Sequence, residues 1–189
     1  MLLKIFSPNI LTSLRIILLI PCLYLLFNNQ FIYSFIIALF AVSTDFLDGY
    51  LARKYNLITR FGSILDPIAD KVLIISLLTC FYLLNLIPIW FILLSNMRDI
   101  LQLLSIPILL LYKKINFKVK PKIIPKWATA IKFIIVLICF SLCIFKSYQI
   151  SDLYFLPILV VSALLEIYIL VTFIPRFILI YRKKHDTFE

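Results

Sequence analysis

The sequence predicts an all-α, polytopic membrane protein with six transmembrane helices, on three observations. The 189 residues are 63% hydrophobic with a mean hydropathy of +1.09, far more apolar surface than a water-soluble domain of this size needs. Six apolar stretches follow one another, each close to the ~20 residues that a hydrocarbon core requires. The breaks between them alternate in positive charge, the pattern that orients helices in a bilayer. This length allows a single membrane domain over residues 1–189 and little else.

The first stretch, 11–28, is apolar but lacks a small-residue cleavage site, so it reads as a retained helix and not a signal peptide. Asn28-Asn29-Gln30 separates it from the second, 31–53, which carries Asp45, Asp48 and Gly49 and ends near Arg53. After Asn56–Gly62 the third stretch, 64–86, carries Asp66 and Asp70 and ends at Asn85–Pro88. The fourth, 88–112, holds Arg98 and Asp99 mid-span. Beyond Lys113–Lys126 come the fifth, 127–147, with Lys132, and the sixth, 154–179, with Glu166. Charges inside a membrane are functional candidates by default, and Arg98 either pairs with Glu166 or faces a substrate. Cys22, Cys80, Cys139 and Cys143 lie in apolar runs without metal-ligand spacing. His185, in the polar tail, is given no role.

The net charge of +10 could suggest a nucleic-acid partner, but its placement argues otherwise. The breaks after stretches one, three and five have no Lys or Arg apart from Lys146. The second break has Arg53, Lys54 and Arg60 around it; the fourth has Lys113, Lys114, Lys118, Lys120, Lys122 and Lys126; the tail has Arg182, Lys183 and Lys184. Both termini and the even-numbered loops are therefore expected in the cytoplasm, with no nucleic acid bound. The basic loop serves topology alone, or also attracts anionic headgroups or a phosphate-bearing substrate.

The chemistry concentrates in Asp45-x2-Asp48-Gly49-x2-Ala52-Arg53-x8-Gly62-x3-Asp66-x3-Asp70, which holds four of the nine acidic residues and both glycines. Asp45 and Asp48 are three apart and Asp66 and Asp70 four apart, so each pair shares a helix face. Asp45 lies eight residues before Arg53 and Asp70 eight after Gly62, so both fall ~12 Å inside the cytoplasmic boundary. Pro67 suits a first helical turn. Four buried carboxylates are costly unless cations compensate them. Oxygen ligands without nearby His or Cys select Mg²⁺, Mn²⁺ or Ca²⁺, and two such ions suit in-line phosphoryl displacement. Gly49 and Ala52 keep the wall beside the ligands low, and Arg53 offers a permanent cation to a phosphate. The alternative makes the aspartates helix-end charges paired with Arg53, Lys54 and Lys71; it accounts for one pair better than for eight residues in fixed spacing.

This stretch resembles the signature of the CDP-alcohol phosphatidyltransferase family and matches it at every position. The resemblance implies a homodimer in a membrane, such as a bacterial inner membrane, with an active site open to the cytoplasmic leaflet. It implies that Asp45, Asp48 and Asp66 bind metal, two ions of Mg²⁺ or Mn²⁺, with Asp70 both ligand and base. Gly49, Ala52 and Arg53 would line the CDP site. Asn9-x2-Thr12-x2-Arg15 is similar to the opening of many members, where Asn and Thr help hold the CDP-lipid; helix capping is the other account of Asn9 and Thr12. Thr59 sits where a small hydroxyl often lies near the nucleotide phosphates. The implied reaction moves a phosphatidyl group from CDP-diacylglycerol to a glycerol-type hydroxyl with release of CMP.

Within the glycerol branch, Arg98-Asp99, Lys120-Pro121-Lys122 and the run Pro125–Ala130 look most like the CMP-forming cardiolipin synthases, whose acceptor is phosphatidylglycerol. The alternative is a phosphatidylglycerophosphate synthase using glycerol 3-phosphate. Ala128 departs from both patterns, replacing the Asn of the first and the second Lys of the other. Arg98, Lys126 and Lys132 are the acceptor-site candidates, against interfacial snorkelling for the two lysines. An ion-binding transporter would instead need carboxylates spread along a pathway, and an inactive scaffold would not need an intact signature.

Overall fold

The structure, a computed structural model, describes residues 8–54, 62–107, 118–119, 123–145, 152–181 and 187–188, with side chains over 13–44, 68–105, 124–145 and 155–181. The described residues form six helices: α1 (Pro8–Phe27), α2 (Phe31–Lys54), α3 (Gly62–Leu83), α4 (Ile89–Pro107), α5 (Ile123–Phe145) and α6 (Asp152–Tyr181). Each coincides with one predicted stretch, and the ends differ for local reasons. α1 begins three residues early, at Pro8, whose fixed φ suits a first helical position. α3 likewise begins at Gly62, which puts Pro67 in its second turn and not its first.

Asparagine ends two of the helices in a chain that has only two glycines. Asn29 adopts φ 58°. Its N–H bonds the Leu26 carbonyl at 3.2 Å and the Gln30 N–H bonds the Leu25 carbonyl at 2.9 Å. This is a left-handed cap that satisfies two carbonyls the helix leaves open. Asn85, at φ 60°, stops α3 before the predicted 86. Asparagine tolerates this region better than other residues with a Cβ.

The chain forms two compact units. The first holds α1, α2, α3 and the end of α5 from Phe140. In it α1 packs against both α2 and α3. The buried stripe of α2 is Ser34, Ala38, Ala41 and Thr44, small residues at helical spacing that let neighbouring backbones approach closely. Ser34 Oγ donates to the Cys22 carbonyl of α1 at 2.8 Å. Phe140 stacks edge-on to Phe81, with ring centroids 5.0 Å apart, and lies 5.3 Å from Phe35.

The second unit holds α4, the rest of α5, α6 and two short strands, β1 (Lys118–Val119) and β2 (Thr187–Phe188). These pair in parallel, Lys118 opposite Thr187, an addition to the all-helical fold that two residues per strand could not announce in the sequence. α5 from Ile124 and α6 from Phe155 are long and apolar enough to cross a membrane. The described apolar parts of α1 and α2, Ser13–Phe27 and Phe31–Thr44, are shorter.

Candidate active site

The sequence-predicted ligands fall on the ends of α2 and α3 that flank the break between them. Asp45, Asp48, Gly49, Ala52 and Arg53 lie in the last turns of α2, and Asp66 lies in the second turn of α3. Their side chains are outside the described residues, as are those of Asn9 and Thr12 in the first turns of α1. Thr59 lies outside the described residues altogether. By register, Asp45 is nine residues before the end of α2 and Asp70 eight after the start of α3, depths of about 12–14 Å along their helices.

Asp70 is the predicted ligand whose side chain is described. It is 44% exposed and forms an ion pair with Arg15, of which only 2% is exposed. The pair joins α1 to α3, and the register explains it: Arg15 stands seven residues into α1 and Asp70 eight into α3. A guanidinium buried this deeply is expensive without a carboxylate beside it. In the sequence Arg15 only closes the Asn9-x2-Thr12-x2-Arg15 pattern, with no role of its own. The matching distance of the two residues from their helix starts was the available signal.

A second cluster lies within the other unit. Arg98 and Asp99 on α4, Lys132 on α5 and Glu166 on α6 converge, each side chain at most 5% exposed. Lys132 Nζ lies 2.6 Å from Asp99 Oδ2 and 3.0 Å from Glu166 Oε1. Arg98 Nη1 lies 2.9 Å from Asp99 Oδ1, and its Nε lies 3.4 Å from Glu166 Oε2. Each cation thus touches both carboxylates, and the four charges sum to zero. Ser95, one turn before Asp99, and Ser162, one turn before Glu166, add buried hydroxyls without a hydrogen-bond partner among the described residues. Of the acceptor-site candidates, then, Arg98 and Lys132 are joined through two carboxylates. Lys126, in the first turns of α5, is exposed and apart from them. Snorkelling does not describe Lys132, which is 1% exposed.

A family model described as CDP-alcohol phosphatidyltransferase matches residues 5–173. The chain belongs to the CDP-alcohol phosphatidyltransferase family. The match runs from before α1 into α6, so it includes the aspartate stretch, the Arg15–Asp70 pair and the four-charge cluster. A relative from Aquifex aeolicus, named CDP-diacylglycerol–glycerol-3-phosphate 3-phosphatidyltransferase, is 42% identical over 125 residues, 65% of this chain and 68% of the relative. Relatives of the same name from Rickettsia typhi and Pseudomonas fluorescens are 52% and 48% identical over 71 residues, 35% of this chain. Those shorter alignments span 39% and 36% of the relatives' own lengths.

Proposed function

We propose that this family member is a multi-pass membrane enzyme that transfers the phosphatidyl group of CDP-diacylglycerol to the hydroxyl of glycerol 3-phosphate, releasing CMP. The carrying observation is the family match across residues 5–173, which encloses the whole Asp45–Asp70 stretch. The acceptor follows from the relatives, whose shared name specifies glycerol 3-phosphate. The preference for phosphatidylglycerol drawn from the sequence gives way on the same finding. One of its supports has another physical explanation: Asp99 of the Arg98-Asp99 pair bridges two buried cations.

Six spans are supported by the six helices together with an inverted distribution of polarity. Arg15, Arg98, Asp99, Lys132 and Glu166 are buried, while Ile20, Leu93, Leu137, Leu164 and Val171 are exposed. Charges inside and large aliphatics outside suit a hydrocarbon solvent. The loop charges support a cytoplasmic position for both termini and the active site, and the bacterial inner membrane rests on family resemblance. The homodimer rests on family resemblance.

The residues fit a divalent metal centre. Asp70 is anchored on one side by Arg15 yet 44% exposed, the state of a carboxylate that can still meet an incoming cation. Asp45, Asp48 and Asp66 would complete an all-oxygen donor set for Mg²⁺ or Mn²⁺. Such ions would supply positive charge to the pyrophosphate and the departing CMP. Gly49 and Ala52 leave room for the nucleotide beside α2, and Arg53, with Asn9, Thr12 and Thr59, binds the phosphates and CDP. Asp70 accepts the proton of the acceptor hydroxyl. The freed oxygen attacks the phosphorus that bears diacylglycerol. The bond to the CMP oxygen breaks, and that oxygen leaves with the electron pair.

The test is CMP release by purified protein given CDP-diacylglycerol and Mg²⁺ or Mn²⁺, with glycerol 3-phosphate and phosphatidylglycerol compared as acceptors. Metal-dependent release with glycerol 3-phosphate is expected. Release with phosphatidylglycerol alone would return the assignment to cardiolipin synthesis, and no CMP with either would remove the enzyme reading.

A further inference from the structure

The pairing of Arg15 with Asp70 does more than neutralise a buried cation. Arg15 is fixed on α1 and Asp70 on α3, 55 residues apart in sequence. Their contact is made through Arg15 Nη1 and Asp70 Oδ1. The two ends of the pair differ in environment: the guanidinium is sealed at 2% exposure, and the carboxylate is 44% exposed. Beside it, Ala69 is buried at 1%, which keeps this turn of α3 against its neighbours. A rigid, planar cation behind a half-open carboxylate sets the plane of that carboxylate as well as its charge. With Oδ1 held by the guanidinium, the side-chain torsion of Asp70 has less freedom to turn.

We propose that Arg15 is the positioning residue of Asp70. It holds the carboxylate through Oδ1, so the group keeps one orientation while its exposed part stays open to a divalent cation and to the acceptor hydroxyl. This inference rests on the proposed function, in which Asp70 is ligand and base. It also makes two predictions of opposite sign. Arg15 competes with a divalent cation for Asp70, so its loss leaves metal binding as tight or tighter. Its loss also misplaces the base, and misplacement of about 1 Å costs about 10²-fold in rate. A residue that merely stabilised the fold would weaken both.

The experiment measures Mn²⁺ affinity of the protein without substrate, and kcat and KM for CDP-diacylglycerol, in wild type, Arg15→Gln, Arg15→Lys and each Arg15 variant combined with Asp70→Asn. Arg15→Gln is expected to lower kcat about 10²-fold, with KM within about threefold of wild type and Mn²⁺ binding unchanged or tighter. Arg15→Lys keeps the charge and loses the planar fork, and recovers part of kcat. Any tightening of Mn²⁺ binding disappears in the Asp70→Asn background, because the competition is for that carboxylate. Three results overturn the inference: kcat close to wild type in Arg15→Gln, weaker Mn²⁺ binding alongside lower kcat, or loss of the folded protein in both Arg15 variants. A wild-type protein that releases no CMP overturns the proposed function and takes this inference with it; an active wild type with an indifferent Arg15→Gln overturns this inference alone.

Discussion

Asp70 and Lys132 are both ionisable residues within helices, and their surroundings set them apart. Asp70 keeps nearly half of its side-chain surface open with the Arg15 guanidinium beside it. Lys132 is enclosed, with carboxylates at 2.6 and 3.0 Å. An open, anchored charge suits chemistry, and an enclosed, compensated one suits architecture. Asp70→Asn removes the basic oxygen and keeps the size of the side chain. It is expected to lower turnover by about 10²–10⁴-fold, the usual contribution of a positioned general base, while CDP-diacylglycerol binding persists. Single-turnover CMP release and a separate lipid-binding measurement check the two halves of that expectation. Turnover near wild type would remove Asp70 from the base role.

At the scale of elements, the four-charge cluster ties α4, α5 and α6 together at one level. Its balance is delicate because each cation serves both carboxylates. Lys132→Met leaves two buried carboxylates with one guanidinium, and breaking such a buried pair costs about 3–5 kcal/mol. Adding Glu166→Gln restores neutrality around the Arg98–Asp99 pair, so the double variant is expected to regain much of the stability lost by the single one. Unfolding midpoints of the two variants in the same detergent measure this; a double variant less stable than Lys132→Met would show that charge balance is not what the cluster provides. The helices themselves were legible in the sequence, because Asn29, Asn85 and Pro88 break the apolar runs with definite backbone preferences. The cluster was legible only as separate charges. Arg98, Asp99 and Glu166 stood out in apolar runs, but which of them meets Lys132 depends on the rotation of three helices, and no local pattern fixes that. The aspartate stretch was readable for the opposite reason, since its whole pattern lies in one continuous run of sequence, Asp45 to Asp70. The Arg15–Asp70 contact needed the register of two helices that are not adjacent in sequence.

The whole molecule follows from where polarity is allowed. In water, the exposed Ile20, Leu93, Leu137 and Val171 would be an aggregation hazard and the buried charges an unexplained expense. In a bilayer the same distribution is consistent, and the loop charges then choose the orientation. Gln30 lies in the uncharged turn between α1 and α2 and is exposed, whereas Lys183 follows α6 in a basic tail. Single cysteines at these two positions therefore report opposite sides. The natural background is low, because Cys22, Cys80, Cys139 and Cys143 are all buried. Gln30→Cys is expected to react with a membrane-impermeant maleimide in intact cells, and Lys183→Cys only after the membrane is opened. Reaction of both in intact cells would place the tail outside and break the charge rule on which the proposed cytoplasmic site depends. The opposite pair of reactivities would invert every helix and put Asp70 on the far side of the membrane. Agreement with expectation would put the ends of α1 and α3 that precede Arg15 and Asp70 at the cytoplasmic face, where a water-soluble acceptor such as glycerol 3-phosphate could reach the carboxylate without crossing the bilayer.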